Sequence, residues 1–440
     1  MKPSLKLFSS AVAVLLAGSI LLAGCSTQSA AVSAAAGNAA SAASSNEKVT
    51  VKFWYGLTGA NGDIVKKYVK KFNDSQDKII VEATGQGDYF ANATKIQAAL
   101  VAKNQPDMAQ LEISQVGQFG KSDALADLSQ YLSDTEIKKY QEGLMKNSYV
   151  DNKLVAVPFN RSTPIMYINV DMLKKAGLDP AGPKSWDELK QFAEKLTDKS
   201  KGVYGYETPI DIWFYQAGVA QEKGEILDAN NKVSFNNETG TGIVKLWQDM
   251  VKAGTLKVPA GKNYDAWDAA TQDFLNQKTA MIEISTGSLS GLIKNTEGKF
   301  ELGTAFLPAG KQFGTPTGGA NIAIMKASSP EKQKACAEFI KFLGQKENAS
   351  GFSKDTGYMP ATNEAVQSEE IQKLYAEHPQ YKTALAQLQY AVATPMTKGW
   401  TNMQNKIQDE LLKCMLDTSI TPEQAVDNAA KQVQSILDQQ

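Results

Sequence analysis

The chain of 440 residues carries 46 basic and 47 acidic side chains, a formal net charge of −1 and 42% hydrophobic residues. Acids and bases are interspersed, so nothing favours nucleic acid or an anionic lipid surface as a partner. With three cysteines, a single histidine and no Cys-x-x-Cys or Cys/His cluster, the sequence argues against a structural zinc or any other metal centre.

Lys2 and Lys6 precede an apolar run that starts near Ala11 and closes on Leu22-Ala23-Gly24-Cys25. The run is about a dozen residues, short of the roughly 18 to 20 that span a bilayer, and it reads as the core of a signal peptide. A small pair directly before Cys is what lipidation and cleavage require. Residues 1–24 are therefore expected to be a lipoprotein signal peptide, with Cys25 carrying the lipid. Residues 25–47 are almost all Ser and Ala, too poor in apolar surface to fold, and read as a flexible tether. At up to about 3.4 Å per residue, some 20 residues reach about 70 Å. No second apolar run long enough to span a bilayer follows, and the remaining length suits two domains.

Val49, Val51 and Phe53 alternate with polar neighbours and predict a strand ending at Trp54-Tyr55-Gly56. Val65, Tyr68, Val69 and Phe72 then mark one face of a helix. Further strands are predicted over residues 78–83 and 107–113, with a helix over 89–102 between them. Strands alternating with helices imply a parallel α/β layer. The pattern restarts after Asn152, with strands over 154–157 and 164–168, a helix closed by Gly177, and a capping box of Ser185 and Glu188 opening the next helix. Short strands over 203–207, 279–285 and 300–307 alternate with helices over 242–253 and 267–275. Asn321 to Met325 is a last apolar strand, and Pro330 and Pro422 mark first turns of helices. Cys336 shares a helical stripe with Phe339, Ile340 and Leu343, the place of a small buried hydrophobe. Two α/β lobes joined by several crossings leave a cleft, a common ligand site.

Pro158-Phe159-Asn160-Arg161-Ser162-Thr163-Pro164, running into Ile165-Met166-Tyr167-Ile168-Asn169, resembles the family 1 extracellular solute-binding proteins of ABC importers, and within them the sugar and glycerol-3-phosphate binders. Ser185-Trp186-Asp187-Glu188-Leu189, Ser285-Thr286-Gly287-Ser288-Leu289, Gly318-Gly319-Ala320-Asn321 and Thr356-Gly357-Tyr358-Met359-Pro360 follow in the family's order. The resemblance implies an α/β, two-lobe, periplasmic-binding-protein-like fold of type II, maltose-binding-protein-like, with a hinged interlobe cleft. Its N-terminal lobe is expected over residues 48–160 and 315–360, and its C-terminal lobe over 161–314 and 361–440. It also implies a monomer that binds a sugar and hands it to the transmembrane subunits of a permease with their ATPase. No cofactor is implied. The location expected is the extracytoplasmic face of the cell membrane, through the lipid on Cys25.

Tyr89, Ser162, Trp213 and Tyr358 match ligand positions of the family by this resemblance, and Glu112, Ser285, Ser288, Gly319 and Trp400 join them as candidate cleft residues by their own chemistry and place. Relatives carry the acid one residue later, where Ile113 stands here. Ser162 is expected in a turn at the hinge, with Arg161, the only arginine, bridging lobes or pairing with an acid. Ser285 and Ser288 are expected to present free amides at a helix start. Aromatic faces suit sugar C–H surfaces, and small polar groups suit the hydroxyls. One departure concerns Thr397-Lys398-Gly399-Trp400-Thr401: glycerol-3-phosphate binders place an arginine where Thr401 stands. Losing that bidentate fork argues for an uncharged sugar over a phosphate ligand.

A rival reading is an exported serine hydrolase. Gly287-Ser288-Leu289-Ser290-Gly291 is close to the Gly-x-Ser-x-Gly elbow and precedes His378 in the chain order of α/β-hydrolases. Against it, Leu289 stands between the glycines where the nucleophile belongs, and no His-Gly-Gly-Gly segment precedes it. A glycosidase with two unrecognised acids is a further alternative that only the family resemblance disfavours.

Overall fold

A computed structural model describes residues 48–439. The Leu22–Cys25 motif and the Ser/Ala-rich segment lie outside the described residues. Two five-stranded sheets organise the chain. The first takes β1 (Val49–Tyr55), β2 (Ile79–Gly85), β3 (Met108–Glu112), β4 (Val157–Ser162) and β10 (Gly318–Ile324) in the order β2-β1-β3-β10-β4. The second takes β5 (Pro164–Asn169), β6 (Tyr204–Glu207), β7 (Leu256–Lys257), β8 (Thr279–Ser285) and β9 (Leu302–Ala305) in the order β9-β5-β8-β6-β7.

The expectation of purely parallel layers does not hold. β1 runs parallel to β2 and β3, but β10 is antiparallel to both β3 and β4. In the second sheet β5 is antiparallel to β8 and β9. The reason is topological: β10 and β5 enter their sheets by crossing from the other lobe, and only strands joined by crossover helices must run parallel. Thr163 alone separates β4 from β5, so one residue carries the chain between lobes. The second crossing lies between Ala305 and Gly318, where Thr315–Pro316 pairs in parallel with Ala391–Val392 of the returning chain.

Each sheet is covered on both faces. Phe53, Val65, Phe72, Phe339 and Phe352 belong to the apolar layer on one face of the first sheet, and Ile96, Leu111, Val116 and Ala323 to that on the other. The central strands β5 and β8 are buried along their length except at Ser285, as expected for strands sandwiched between helices. Cys336 is indeed core in the first lobe and Cys414 core in the second, and both are free thiols. The helix Trp400–Leu416 and the last helix, Pro422–Leu437, pack with Trp247 and Met250 in the second lobe's core.

Pro330 and Pro422 open their helices behind Ser329 and Thr421 caps. Ser185 caps the Trp186–Leu196 helix by accepting from the Glu188 amide at 3.2 Å, but the Glu188 carboxylate accepts from the Lys184 amide instead of closing the box on Ser185. The strand expected over 154–157 divides: Lys153–Leu154 forms a small hairpin with Tyr149–Val150, and β4 begins at Val157.

Candidate functional site

Between the lobes lies a cavity of about 380 Å³. All nine residues expected in the cleft, Tyr89, Glu112, Ser162, Trp213, Ser285, Ser288, Gly319, Tyr358 and Trp400, are among its lining.

Several helices start at this cavity, and three of them, α1 (Tyr89–Val101), α2 (Ile113–Lys121) and α3 (Ile212–Gln221), are closed by their own acids, whereas Gly59–Ser75 and Tyr264–Leu275 begin there behind Thr58 and Asn263 with no side-chain cap. Asp88 Oδ1 accepts from the Ala91 amide at 2.8 Å, Glu112 Oε2 from the Ser114 amide at 3.0 Å, and Asp211 Oδ1 from the Trp213 amide at 2.8 Å. The partial positive charge of a helix start, which elsewhere receives phosphate, is offset at these three by carboxylates of the protein itself. Among the described residues, no Lys, Arg or His lines the cavity. Burial raises the Glu112 carboxyl to about 7, against hydrogen bonds from Ser114 and the charge of Arg161. Burial likewise raises Asp211 to about 6.

The aromatic wall comes from the second lobe. Trp213, in the first turn of α3, stacks on Trp267 with ring centroids 5.5 Å apart and planes 13° from parallel. Tyr264 sits 5.6 Å from Trp267 and 6.2 Å from Tyr89 of the facing lobe. The Trp213 indole donates to the Thr317 carbonyl at 3.1 Å, and its ring covers Gly318 so closely that a Cβ there would come within 2.3 Å of it. Gly319 is required for a second reason: its φ of +77° disfavours any side chain, and a Cβ would strike the Asn160 carbonyl. The opposite wall is fixed by a buried amide chain in which Gln110 Nε2 donates to Asn160 Oδ1 at 2.7 Å and Asn160 Nδ2 donates to the Tyr89 hydroxyl at 2.6 Å. Asn160 thus leaves the Tyr89 proton free to donate, and the Tyr358 phenol lies against it.

Several expectations need correction. Ser162 is not in a turn: it ends β4, paired with Gly318, and the residues of β4 are buried throughout. Arg161 pairs with no acid. It is fully buried and donates to the Gly318 and Leu144 carbonyls at 2.9 and 2.6 Å, to Thr317 Oγ1 at 2.9 Å and to Asn321 Oδ1 at 3.2 Å, while burial lowers it to about 10. The amides after Ser285 are not free, since Thr286 N donates to the Thr163 carbonyl and Gly287 N to Ser285 Oγ. Trp400 reaches the cavity but is only 1% exposed and belongs chiefly to the core. Thr401 donates to Gln118 Oε1 across the lobes at 3.1 Å.

Asp211, Tyr264, Trp267 and Asp268 also line the cavity and were not picked out from the sequence. Asp211 before the apolar run from Ile212 was the legible signal, as a helix cap; Trp267 carried none beyond its place in a helix. The His378 imidazole makes a ring contact with Tyr381, and among the described residues no hydrogen bond joins it to Ser288 or Ser290, so the hydrolase reading has no His–Ser pair behind it.

Two sheet-bearing lobes around a ring-lined, acid-capped cavity define a maltose-binding-protein-like binding protein of the type II periplasmic class. Residues 67–383 match the model of the bacterial extracellular solute-binding proteins, and the chain belongs to that family. It is 29% identical over 411 residues to the sn-glycerol-3-phosphate-binding periplasmic protein UgpB of Pectobacterium atrosepticum, covering 88% of this chain and 91% of that one. Among solved structures it resembles UgpB of Mycobacterium tuberculosis in complex with glycerophosphocholine, at a TM-score of 0.79, 25% identity and coverage of 89% and 99%. It also resembles the cyclic alpha-maltosyl-1,6-maltose binding protein of Arthrobacter globiformis, at a TM-score of 0.75, 23% identity and coverage of 90% and 100%. The family's members are binding proteins, and the resemblance read from the sequence is borne out.

Proposed function

We propose that this solute-binding protein captures a carbohydrate, mono- or oligosaccharide, in the interlobe cavity and delivers it to the transmembrane subunits of an ABC permease and their ATPase. The observation that carries this reading is the lining itself: stacked indoles and phenols beside acids and hydroxyls, with no cation. Rings bury the C–H faces of a sugar while carboxylates and amides accept its hydroxyls. The lobe division expected from the sequence, 48–160 with 315–360 and 161–314 with 361–440, is part of this reading; the strands of the first sheet fall within 49–162 and 318–324 and those of the second within 164–305. Anchoring through Cys25 rests on the Leu22–Cys25 motif, and among the described residues no helix is long and apolar enough to cross a membrane.

The second reading is a glycerol-3-phosphate or glycerophosphodiester binder, favoured by the likeness to the sn-glycerol-3-phosphate-binding UgpB of Pectobacterium atrosepticum and to the glycerophosphocholine complex of the Mycobacterium tuberculosis UgpB. The lining acids and Thr401 weigh against it, because a phosphate would meet four carboxylates, Asp88, Glu112, Asp211 and Asp268, and no cationic fork of donors. Calorimetry of the protein against maltose, longer neutral oligosaccharides, glycerol-3-phosphate and glycerophosphocholine separates the two. Sugar binding lost in Trp213→Ala supports the first. Tight binding of the phosphates alone, unaffected by that substitution, overturns it.

A further inference from the structure

The Asp211 side chain holds a place that hydroxyl recognition alone does not require. It is only 8% exposed, yet it lines the cavity. Its Oδ1 is committed to the Trp213 amide, and its second oxygen makes no hydrogen bond of normal geometry. The Trp267 indole N–H lies buried beside the carboxylate without a hydrogen-bond partner. What opposes the burial of this charge is the Trp213 amide and the Trp267 indole, and no Lys or Arg contributes. Arg161, the buried cation of the region, is coupled to Glu112 and Tyr89. A carboxylate taken out of water without a cationic partner is costly unless a ligand supplies one.

The surrounding rings favour the same partner. Trp213 and Trp267 stack beside Asp211, and Tyr264 leans on Trp267. An ammonium between an acid and aromatic faces gains from both, and water is excluded from each contact. The other charged and titratable groups around the cavity are Asp88 and Glu112 on the first lobe, Asp268 on the helix of Tyr264 and Trp267, and the phenols of Tyr89, Tyr264 and Tyr358. None of them repels a cation.

We propose that Asp211, with Trp213 and Trp267, forms a subsite for a positively charged nitrogen, so that the sugar taken by this cleft is an amino sugar or an oligosaccharide containing one. The inference rests on the carbohydrate reading above. Binding an ammonium there favours ionised Asp211 and releases protons, whereas closure on a neutral sugar desolvates the acid further and takes protons up.

The test is calorimetry of the full chain with the β-1,4-linked disaccharide of glucosamine, its neutral counterpart cellobiose, and glycerol-3-phosphate, in two buffers of different ionisation enthalpy. At about pH 6, where the ligand's amines are already protonated and Asp211 is still titrating, the amino disaccharide is expected to bind at least tenfold tighter than cellobiose, with net proton release. Asp211→Asn keeps the helix cap and should remove that preference. Equal or tighter binding of cellobiose, or a preference that survives Asp211→Asn, overturns the subsite and leaves the carbohydrate reading standing. Binding of glycerol-3-phosphate alone overturns both, and binding of none of the three overturns the subsite. Thermal unfolding of the variant separates misfolding from lost recognition.

Discussion

Asn61, in the helix Gly59–Ser75 of the first lobe, donates its side-chain amide to the carbonyl of Gly287 in the second at 3.1 Å. Thr401 and Gln118 make a second crossing on another side of the cleft. Both bonds exist only with the lobes together, so they act on closure and not on the stability of either lobe. A hydrogen bond of this kind contributes about 0.5 to 1.5 kcal/mol. Asn61→Ala and Thr401→Val should therefore each weaken binding by roughly two- to tenfold, chiefly through faster release. Stopped-flow dissociation checks this, and an unchanged off-rate in both would remove them as latches.

The tryptophans separate by burial. Trp213→Ala removes one face of the stacked pair and should cost on the order of 1 to 3 kcal/mol of binding, with little loss of stability. Trp400→Ala empties a core position instead and should destabilise the fold by about 3 to 5 kcal/mol. Denaturant titration beside calorimetry would show whether the two effects divide in this way.

Arg161 makes four hydrogen bonds next to the single-residue crossing at Thr163. Arg161→Lys keeps the charge but lacks the planar fork, leaving buried acceptors unmet. A loss of about 3 to 5 kcal/mol is expected by analogy with the breaking of other buried charged networks. A chemical-denaturation midpoint equal to that of the parent would refute the role of the fork.

Burial raises Glu207 to about 8, and neither of its oxygens finds a hydrogen-bond partner; Lys257 Nζ stands 3.8 Å away and is also bonded to Asp273. Glu283 is raised to about 7, as is Glu112, with Asp211 at about 6. Acids that hold protons longer when folded make the folded state less stable as pH rises from their unfolded values through these folded ones. Their joint contribution to the ligand-free protein should thus decline from about pH 4 to pH 8. Glu207→Gln should raise the melting temperature at pH 8 and barely change it at pH 5, where the native residue is already neutral. Scanning calorimetry at both values decides it.

If Cys25 carries the lipid, Cys25→Ser should leave the precursor unprocessed or release the protein from the membrane fraction. Fractionation that finds the variant processed and membrane-bound as before would disprove the anchor.

Much of this protein is written locally. Apolar periodicity located β1, β2, β3 and the helix Gly59–Ser75, because a strand or helix that must bury one face repeats its apolar residues at a fixed spacing. Proline and capping residues marked helix starts at Ser329-Pro330 and Thr421-Pro422 for equally local reasons. The nine residues expected in the cleft, four by resemblance and five by their own chemistry, all line one cavity, since they lie on the strand and helix ends that meet there. Tertiary structure alone decided that β5 and β10 run against their neighbours, as strand direction depends on which lobe the chain arrives from. It also decided that Arg161 binds carbonyls and not an acid, that Trp400 is core while Trp267 is cleft, and that Asp211 caps a helix beside two indoles. Those outcomes depend on pairs such as Trp213 with Trp267, or Arg161 with Gly318, that are far apart in the chain and become neighbours only when two lobes close on one cavity.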